Sequence, residues 1–304
     1  MKDFKDRIAF ITGGASGAGL GQAEVFGKAG AKIVIADVRQ EALDKAVETL
    51  SGMGITVHAI KLDITDRDAY ARAADEVEQV FGEPPHLLFN TAGVNSFGPV
   101  EASTYGDFDW LIGVNLGGVI NGMVTFVPRM IKAGRPGHVV TTSSIGGFHG
   151  GAIAAPYSAA KAAVINLMES YRMSLEKHDI GVTVLCPANI KSNIAEATKV
   201  RSAEFGDSGY VANEEAIASL HSIHIHGMEP IELAEHVKRG VEENKLYVIP
   251  YPETKPMLEQ RFKDILDAVL PLEADPEGAR KRSEALQNWA ADRGRIMSKA
   301  REQA

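Results

Sequence analysis

The chain has 304 residues, of which 45% are hydrophobic and 24% are charged, with a formal net charge of -8 at pH 7. The acidic balance argues against a polyanion-binding surface, so no nucleic acid partner is expected, and no uninterrupted apolar run is long enough to span a membrane. This length is sufficient for one large α/β domain or two small ones with a sizeable core.

Strands and helices are predicted to alternate along the first 250 residues. Apolar strand patterns occur at residues 7–12, 33–36, 55–60, 87–89, 138–141 and 182–185, with helical patterns between them. This alternation predicts an α/β fold over residues 1–250, in which helices cover both faces of a doubly wound parallel sheet. Residues 251–304 form a predicted helical C-terminal extension, packed on the same domain or across a subunit interface; a solvated extension is the alternative.

A glycine-rich turn, TGGASGAG, runs from Thr12 to Gly19 after the first predicted strand. Glycines let the backbone approach a pyrophosphate, whose charge the following helix N-terminus favours. Asp37 closes the second strand, and its carboxylate can accept from both hydroxyls of an adenosine ribose while repelling a 2′-phosphate. Ser16 adds no positive charge and only Arg39 would counter that repulsion, so NAD is predicted rather than NADP. A tight turn with Asp37 as a helix cap is the structural alternative.

Polar residues follow the third and fourth predicted strands. Asp63 and Asn90 fall at carboxyl ends of strands, the edge at which an open α/β sheet binds its ligands. Asn115 lies in an apolar segment and must find hydrogen-bond partners, either backbone groups or a proton-relaying water. Its spacing alone favours the structural role.

A possible catalytic set follows the fifth predicted strand. Ser144 ends that strand, and Pro156 suits the first turn of a helix on which Tyr157 and Lys161 lie four residues apart on one face. An ammonium close to a phenol favours the ionised phenol and lowers its pKa, as an acid/base catalyst requires. Ser144 could then hold a substrate oxygen. The alternative is an alanine-rich core helix with a tyrosine at its rim.

No catalytic role is predicted for a second Tyr/Lys pair or for the single cysteine. Tyr251 and Lys255 repeat the same spacing, but Pro252 and Pro256 oppose a regular helix there, so no function is predicted for that pair. Cys186 is the only cysteine, which excludes an internal disulfide. It is expected to be a buried small hydrophobe, and a cytoplasmic enzyme is expected because the start of the chain lacks a long apolar segment.

Taken together, T-G-x-x-x-G-x-G, N-x-A-G, Asn115, Ser144 and Y-x-x-x-K occur in an order and spacing that resemble the short-chain dehydrogenase/reductase family over about residues 5–250. The resemblance implies a Rossmann-type fold and nicotinamide chemistry. It implies that Tyr157 is the acid/base, that Lys161 lowers its pKa and binds the nicotinamide ribose, that Ser144 holds the substrate oxygen and that Asn115 supports a water relay.

The same resemblance implies the nucleotide contacts. The residues after the third strand should meet the adenine, the N-x-A-G element should meet the adenosine and nicotinamide side, and the residues after Pro187 should meet the carboxamide. The expected cofactor-binding residues are Gly13, Ala15, Ser16, Gly17, Ala18, Asp37, Val38, Asp63, Ile64, Asn90, Ala92, Gly93, Tyr157, Lys161, Pro187, Ile190 and Ser192. Two positions depart from the family pattern, since Thr91 replaces a frequent asparagine and Ala188 follows Pro187 where glycine is common.

A closer resemblance extends over nearly the full length. The stretches NTAGVNSFGP, INGMVTFVPRM and PANIKSNIAEA are similar to those of bacterial NAD-dependent Cα-dehydrogenases of lignin-derived β-aryl ethers. Those enzymes oxidise a benzylic secondary alcohol to a ketone, which implies a small aromatic alcohol as substrate, and the wider family forms homo-oligomers. The alternatives are a different alcohol or carbonyl substrate, such as an acyl or steroid ketone, and a catalytically silent NAD-binding scaffold.

Residues 188–228 form a connection too long for an ordinary link between a strand and a helix, as expected of a substrate lid. Its three histidines have no acidic or cysteine ligand at matching spacing, so no metal is predicted. They are His221, His224 and His226. The candidates for substrate contact, with ordinary packing as the alternative, are Ser144, Phe97, Phe148, His149 and Asn189.

Overall fold

Within residues 1–302, which a computed structural model describes (side chains to residue 294), seven strands form one parallel sheet. They are β1 (Ile8–Thr12), β2 (Lys32–Asp37), β3 (Val57–Lys61), β4 (Leu87–Asn90), β5 (Gly137–Thr142), β6 (Ile180–Leu185) and β7 (Tyr247–Val248). Their order is β3-β2-β1-β4-β5-β6-β7. The order reverses between β1 and β4, and the crevice at the carboxyl ends beside that point is where such sheets bind ligands.

Helices cover both faces of the sheet and extend beyond it. They are α1 (Gly17–Lys28), α2 (Gln40–Gly52), α3 (Arg67–Phe81), α4 (Tyr105–Ile112), α5 (Gly118–Ala133), α6 (Ala155–Leu175), α7 (Glu214–His224), α8 (Pro230–Glu242), α9 (Lys255–Asp267) and α10 (Pro276–Glu302). The predicted doubly wound α/β fold, with its helical C-terminal region, is confirmed. The two-residue strand β7 was not predicted because it is too short to show a period.

Two apolar cores lie on opposite faces of the sheet. On one face α3, α5 and α6 pack on the strands, with Phe10 and Phe126 at its centre, their rings 4.5 Å apart. On the other face α1, α2 and α8 pack on the strands around Phe26, whose ring lies 4.8 Å from that of Phe89. Both faces of every central strand are therefore buried, which is why these strands are continuous apolar runs in the sequence.

Local signals fix the ends of the helices that carry the site. Thr104 and Asp107 form a capping box at the start of α4, since each side chain accepts from the backbone N–H of the other. A π-helical turn, Gly113–Gly117, joins α4 to α5. Pro156 lies in the first turn of α6, as predicted. The helix α5 ends at Gly134, whose φ of 64° suits glycine.

The chain divides by its internal contacts into one compact unit, Met1–Thr254, and a second that begins at Lys255. In the second unit, α9 and α10 correspond to the predicted helices of the extension. The packing of this extension on the first unit or on a neighbouring subunit stays a prediction.

The continuous helix Tyr105–Ala133 is, among the described residues, long and apolar enough to cross a membrane by length and composition alone. Of its most apolar window, 56% is buried inside the protein, as in a core helix of a globular domain. Charged residues interrupt this segment, so it is not an uninterrupted apolar run.

Candidate active site

A cavity of 790 Å³ opens along the carboxyl ends of the strands. It brings together residues that lie far apart in the sequence, from the glycine turn after β1 to the connection after β6. The predicted site residues that line it are Gly13, Ser16, Gly17, Ala18, Asp37, Val38, Asp63, Ile64, Ala92, Gly93, Phe97, Asn115, Ser144, His149, Tyr157, Lys161, Pro187, Asn189, Ile190 and Ser192.

Three predicted site residues, Ala15, Asn90 and Phe148, do not line that cavity, and their contacts with ligands stay predictions. Ala15 is buried in the core on the α1 face. Asn90 points towards α5 and donates from Nδ2 to Thr141 Oγ1 at 3.2 Å, so it braces the sheet beneath the site. Phe148 packs against the core of the α6 face, with its ring 6.1 Å from that of Tyr247. The sequence could not show on which side of its loop Phe148 would point.

The glycine turn is pressed against the strand ends beside it. Gly13 has a φ of +64°, and a Cβ there would lie 2.8 Å from the Cα of Ala92. Gly17 has a φ of +51°, and a Cβ there would lie 2.9 Å from the Cβ of Ser192. Only glycine suits this backbone and this spacing at both positions. The turn therefore presents bare backbone to the cavity, as a phosphate site requires.

Asp37 at the end of β2 already has a partner within the protein. Its Oδ1 accepts from the Arg39 backbone N–H at 3.1 Å and from Arg39 Nε at 3.0 Å, and its Oδ2 accepts from Arg39 Nη2 at 3.1 Å. Arg39 Nη2 also donates to Ser16 Oγ at 2.9 Å. This ion pair was not predicted. It places a guanidinium beside the carboxylate expected to receive the adenosine ribose.

Tyr157 and Ser144 meet in the cavity. Ser144 follows β5, its Oγ accepts from the Gly146 N–H at 3.0 Å, and its side chain lines the same cavity as the Tyr157 phenol. The Tyr157 ring packs edge-on against Phe97, with 5.6 Å between their centroids. The helix α6 is tied to the end of β5 because Ser143 Oγ donates to the Lys161 carbonyl at 2.7 Å.

Lys161 lies behind Tyr157, buried in the same helix. It is 4% exposed, and its Nζ donates to the Thr142 carbonyl at 3.1 Å and lies 5.8 Å from the centre of the Tyr157 ring. Burial lowers the pKa of this ammonium to about 8, with a smaller opposing effect from Cys186. Cys186 is fully buried, as predicted, and burial raises the pKa of its thiol to about 12.

The pKa of the Tyr157 phenol differs from the sequence expectation. Burial raises that pKa, and the hydrogen bond with Ser144 offsets only part of the rise. We expected the Lys161 ammonium to lower it. The reason for the difference is that burial away from water destabilises the phenolate more than the Ser144 hydroxyl stabilises it.

Asn115 lies in the π-helical turn with its amide engaged by the backbone. Its Nδ2 donates to the carbonyls of Val94 at 2.9 Å and Leu111 at 3.0 Å, and its Oδ1 accepts from the Val94 N–H at 3.2 Å. Oδ1 keeps a second lone pair beside Gly93, where an added Cβ would lie 2.8 Å from Oδ1 and 3.4 Å from Lys161 Nζ. Because Gly93 has no side chain, Asn115 Oδ1 and Lys161 Nζ both come close to its backbone.

Sequence reasoning missed the aromatic residues that line the rest of the cavity. Trp110 from α4 and Phe205 from the 188–228 connection lie together in a small apolar cluster with Val94 and Leu111. The long connection was predicted to be a lid, but nothing in the sequence paired it with α4. Its ends are closed by hydrogen bonds between Met228 and Asn189, at 2.9 Å, and between Lys191 and Met228, at 3.0 Å.

The three histidines do not form a metal centre. His224 lines the cavity and its Nδ1 lies 3.1 Å from the carbonyl of Ile190, and burial lowers its pKa. Within the part of the chain that the structure describes, no group of three His, Cys, Asp or Glu side chains is placed to hold a metal ion. The second Tyr/Lys pair does not share a helix. Tyr251 donates to the Asn189 carbonyl at 3.0 Å, and Lys255 is the first residue of α9.

A doubly wound sheet with Ser144, Tyr157 and Lys161 at its carboxyl edge defines an oxidoreductase that acts on CH–OH groups. The sequence profile described as short chain dehydrogenase matches residues 7–202. The chain therefore belongs to the short-chain dehydrogenase family.

Individual relatives are similar over almost the whole chain. The chain is 70% identical over 298 residues to the C alpha-dehydrogenase of Sphingobium sp. (strain NBRC 103272 / SYK-6), covering 98% of each protein. Among solved structures, the apo form of LigD from Sphingobium sp. strain SYK-6 is similar with a TM-score of 0.76 and 62% identity, covering 88% of this chain and 100% of that one. A short chain dehydrogenase/reductase from Burkholderia phymatum, in complex with NAD, has a TM-score of 0.84 and 30% identity over 89% of this chain and 98% of that one.

Proposed function

We propose that this protein oxidises the benzylic (Cα) secondary alcohol of lignin-derived β-aryl ethers to the ketone, with NAD as the hydride acceptor. The observation that carries the proposal is that Ser144 and Tyr157 line the same cavity as the glycine turn and Asp37. The substrate class is supported by the 70% identity to a C alpha-dehydrogenase. The cofactor is supported by the NAD complex of the Burkholderia phymatum relative.

The residues present fit NAD. Bare backbone at Gly13 and Gly17 and the N-terminus of α1 suit a pyrophosphate. The carboxylate of Asp37 can accept from the adenosine ribose hydroxyls once one or more of its hydrogen bonds with Arg39 are broken. Bound NAD supplies a nicotinamide ring that accepts a hydride from the alcohol carbon.

The protein's own groups handle the proton. The substrate hydroxyl is held by Ser144 Oγ, and the phenolate oxygen of Tyr157 takes the hydroxyl proton as the carbon loses its hydride. Lys161, fixed through Thr142, places a positive charge behind the phenolate. Asn115 Oδ1 and Lys161 Nζ both lie beside Gly93, and a water held by these two groups would carry the proton onwards.

The aromatic rings of the substrate have a matching surface. Phe97 packs on the Tyr157 ring, and Trp110 and Phe205 lie together at the cavity. Rings in such surroundings pack edge-on or offset with favourable energies. His149 and Asn189 add polar groups at the rim of the same cavity.

We also propose that the protein acts in the cytoplasm as a homo-oligomer. Apolar side chains on α5, Ile120 at 39% exposure and Val124 at 62%, are exposed, and the small side chains of Ala159 and Ala163 on α6 allow close helix packing. Analytical ultracentrifugation of the full chain would show the oligomer directly.

The test is NADH formation with separated stereoisomers of a β-aryl ether bearing a free Cα alcohol. We expect the wild-type protein to reduce NAD with at least one stereoisomer, and Tyr157→Phe to lower turnover by orders of magnitude while NAD binding persists. Turnover by the variant at the wild-type rate would overturn the mechanism. Activity only on acyl or steroid ketones would overturn the substrate class, and NAD binding with no turnover of any alcohol would favour a silent scaffold.

A further inference from the structure

A fully buried carboxylate outside the catalytic set lies at the start of α4. Asp107 has no exposed surface, yet its two oxygens accept five hydrogen bonds. Two come from the N–H and the Oγ1 of Thr104, at 3.0 and 2.9 Å. The others come from Ser208 Oγ at 2.7 Å, the Gly209 N–H at 3.0 Å and Arg201 Nη1 at 2.8 Å.

Asp107 therefore does more than cap its helix. A capping box needs only the contacts with Thr104, and the remaining three partners all belong to the 188–228 connection. Burial raises the pKa of the Asp107 carboxyl, but hydrogen bonds from Ser208, Thr104 and Gly209 outweigh it and hold the pKa below the ordinary value. The carboxylate is thus charged where it meets Arg201.

Arg201 lies close to two aromatic rings that line the cavity. Its guanidinium carbon lies 5.4 Å from the centre of the Trp110 ring and 6.0 Å from that of Phe205. Its Nη2 donates to the Phe205 carbonyl at 3.2 Å. One side chain thus sets the distance between a ring on α4 and a ring on the connection.

Two glycines let the backbone of the connection come against this region. A Cβ at Gly106 would lie 1.8 Å from the Phe205 carbonyl oxygen, and a Cβ at Gly209 would lie 1.7 Å from the Ala102 carbonyl oxygen. Neither gap admits any side chain. The close approach is therefore a second feature, independent of charge, that fixes the same segment in the same place.

We propose that Asp107 and Arg201 are positioning residues that hold Phe205 against Trp110, so that the two rings form one wall of the pocket for the aromatic rings of the substrate. This inference rests on the proposed function. A buried ion pair adds little net stability compared with well-packed apolar residues, whereas its hydrogen bonds fix geometry. The value of the pair here lies in the fixed position of a loop that would otherwise move.

The test changes two positions, Arg201 and Gly106, whose substitutions act by different means. Arg201→Met keeps an unbranched stem and removes the guanidinium, and Arg201→Lys restores the charge without the planar donors. Gly106→Ala leaves every charge in place and forces Phe205 away from α4. The matched controls are Arg129→Met, which removes an arginine paired with Asp75 and Glu78 on the surface, and Gly52→Ala, at a helical glycine with open space around it.

We expect Arg201→Met and Gly106→Ala each to raise KM for the β-aryl ether about 10-fold, with kcat and KM for NAD near wild type. Arg201→Lys should recover part of the loss. If the residues only stabilise the fold, each variant should have a smaller fraction of active protein, which lowers the apparent kcat and leaves KM unchanged. Alanine also favours a helix more than glycine, so Gly106→Ala separates misplacement of the loop from loss of α4.

The outcomes separate this inference from the function on which it rests. A wild-type protein inactive on every β-aryl ether contradicts the proposed function. An active wild type whose KM survives both Arg201→Met and Gly106→Ala contradicts the positioning role alone. If Arg201→Met does not fold, Gly106→Ala and Ser208→Ala, which removes a single hydrogen bond to Asp107, decide the matter by the same KM measurement.

Discussion

Lys161 is buried as a cation, and its removal should stabilise the protein while destroying its activity. The side chain is 4% exposed, and burial lowers its pKa from 10.5 to about 8. Methionine has an unbranched chain of similar length without the ammonium. We expect Lys161→Met to abolish alcohol oxidation and yet to raise the free energy of unfolding at neutral pH.

The magnitude follows from the pKa difference between the folded and unfolded states. A fall from 10.5 to about 8 corresponds to about 3 kcal/mol of destabilisation at neutral pH, at about 1.4 kcal/mol per pH unit. The variant also loses the hydrogen bond from Lys161 to the Thr142 carbonyl, which destabilises it by about 1 kcal/mol. The expected net increase in its free energy of unfolding is therefore about 2 kcal/mol.

The gain should disappear as the pH rises. Above about pH 8 the folded wild type releases the Lys161 proton, while the unfolded chain keeps it up to its ordinary pKa of 10.5. The unfolded state then binds more protons, so the wild type gains stability relative to the variant. At about pH 9.5 most of the advantage of the variant should be lost.

Urea unfolding at the two pH values, followed by tryptophan fluorescence, measures both quantities by linear extrapolation. Exposed Lys45→Met on α2 is the matched control, and it should change stability by no more than about 0.5 kcal/mol at either pH. A Lys161→Met protein less stable than wild type at neutral pH, or an advantage that does not change with pH, would refute the reasoning.

Two further predictions concern the proton and the cofactor. Because burial raises the pKa of Tyr157, alcohol oxidation should accelerate and ketone reduction should slow as the pH rises above neutrality. Measurement of the rate against pH in both directions tests this. A rate of oxidation that does not change with pH would contradict the role of Tyr157 as the base. Asp37→Ala should weaken NAD and improve the use of NADP. Arg39→Ala should instead sharpen the preference for NAD, since it removes the charge that offsets repulsion of a 2′-phosphate. The ratio of kcat/KM for the two cofactors checks both, and an unchanged ratio counts against the ribose contact.

The sheet and the catalytic set were predictable because both depend on local spacing. Buried parallel strands are apolar runs with turn residues at their ends, and the ends of parallel strands meet at one edge. Tyr157 and Lys161 share a helix, so their proximity follows from helix geometry. The same geometry argues against the Tyr251 and Lys255 pair, because Pro252 lies between its members and opposes one continuous helix there.

The remaining features depend on contacts between distant segments. The carboxylate of Asp37 was expected to be free to bind a ribose, but it forms an ion pair with Arg39. The separation of two residues in the sequence does not show that the Arg39 side chain turns towards Asp37. The pairing of Arg201 with Asp107 joins segments 94 residues apart. Phe148 was a candidate for substrate contact with ordinary packing as the alternative, and its ring packs against the core of the α6 face.

The ion pair between Arg39 and Asp37 makes Arg39 an internal competitor for the adenosine end of the nucleotide. A ribose that takes both oxygens of Asp37 must displace a guanidinium held by two hydrogen bonds to that carboxylate. Part of the binding free energy is spent on that exchange, so affinity falls and dissociation quickens. A dehydrogenase that must release its reduced nucleotide in every cycle gains turnover from such a weakened hold.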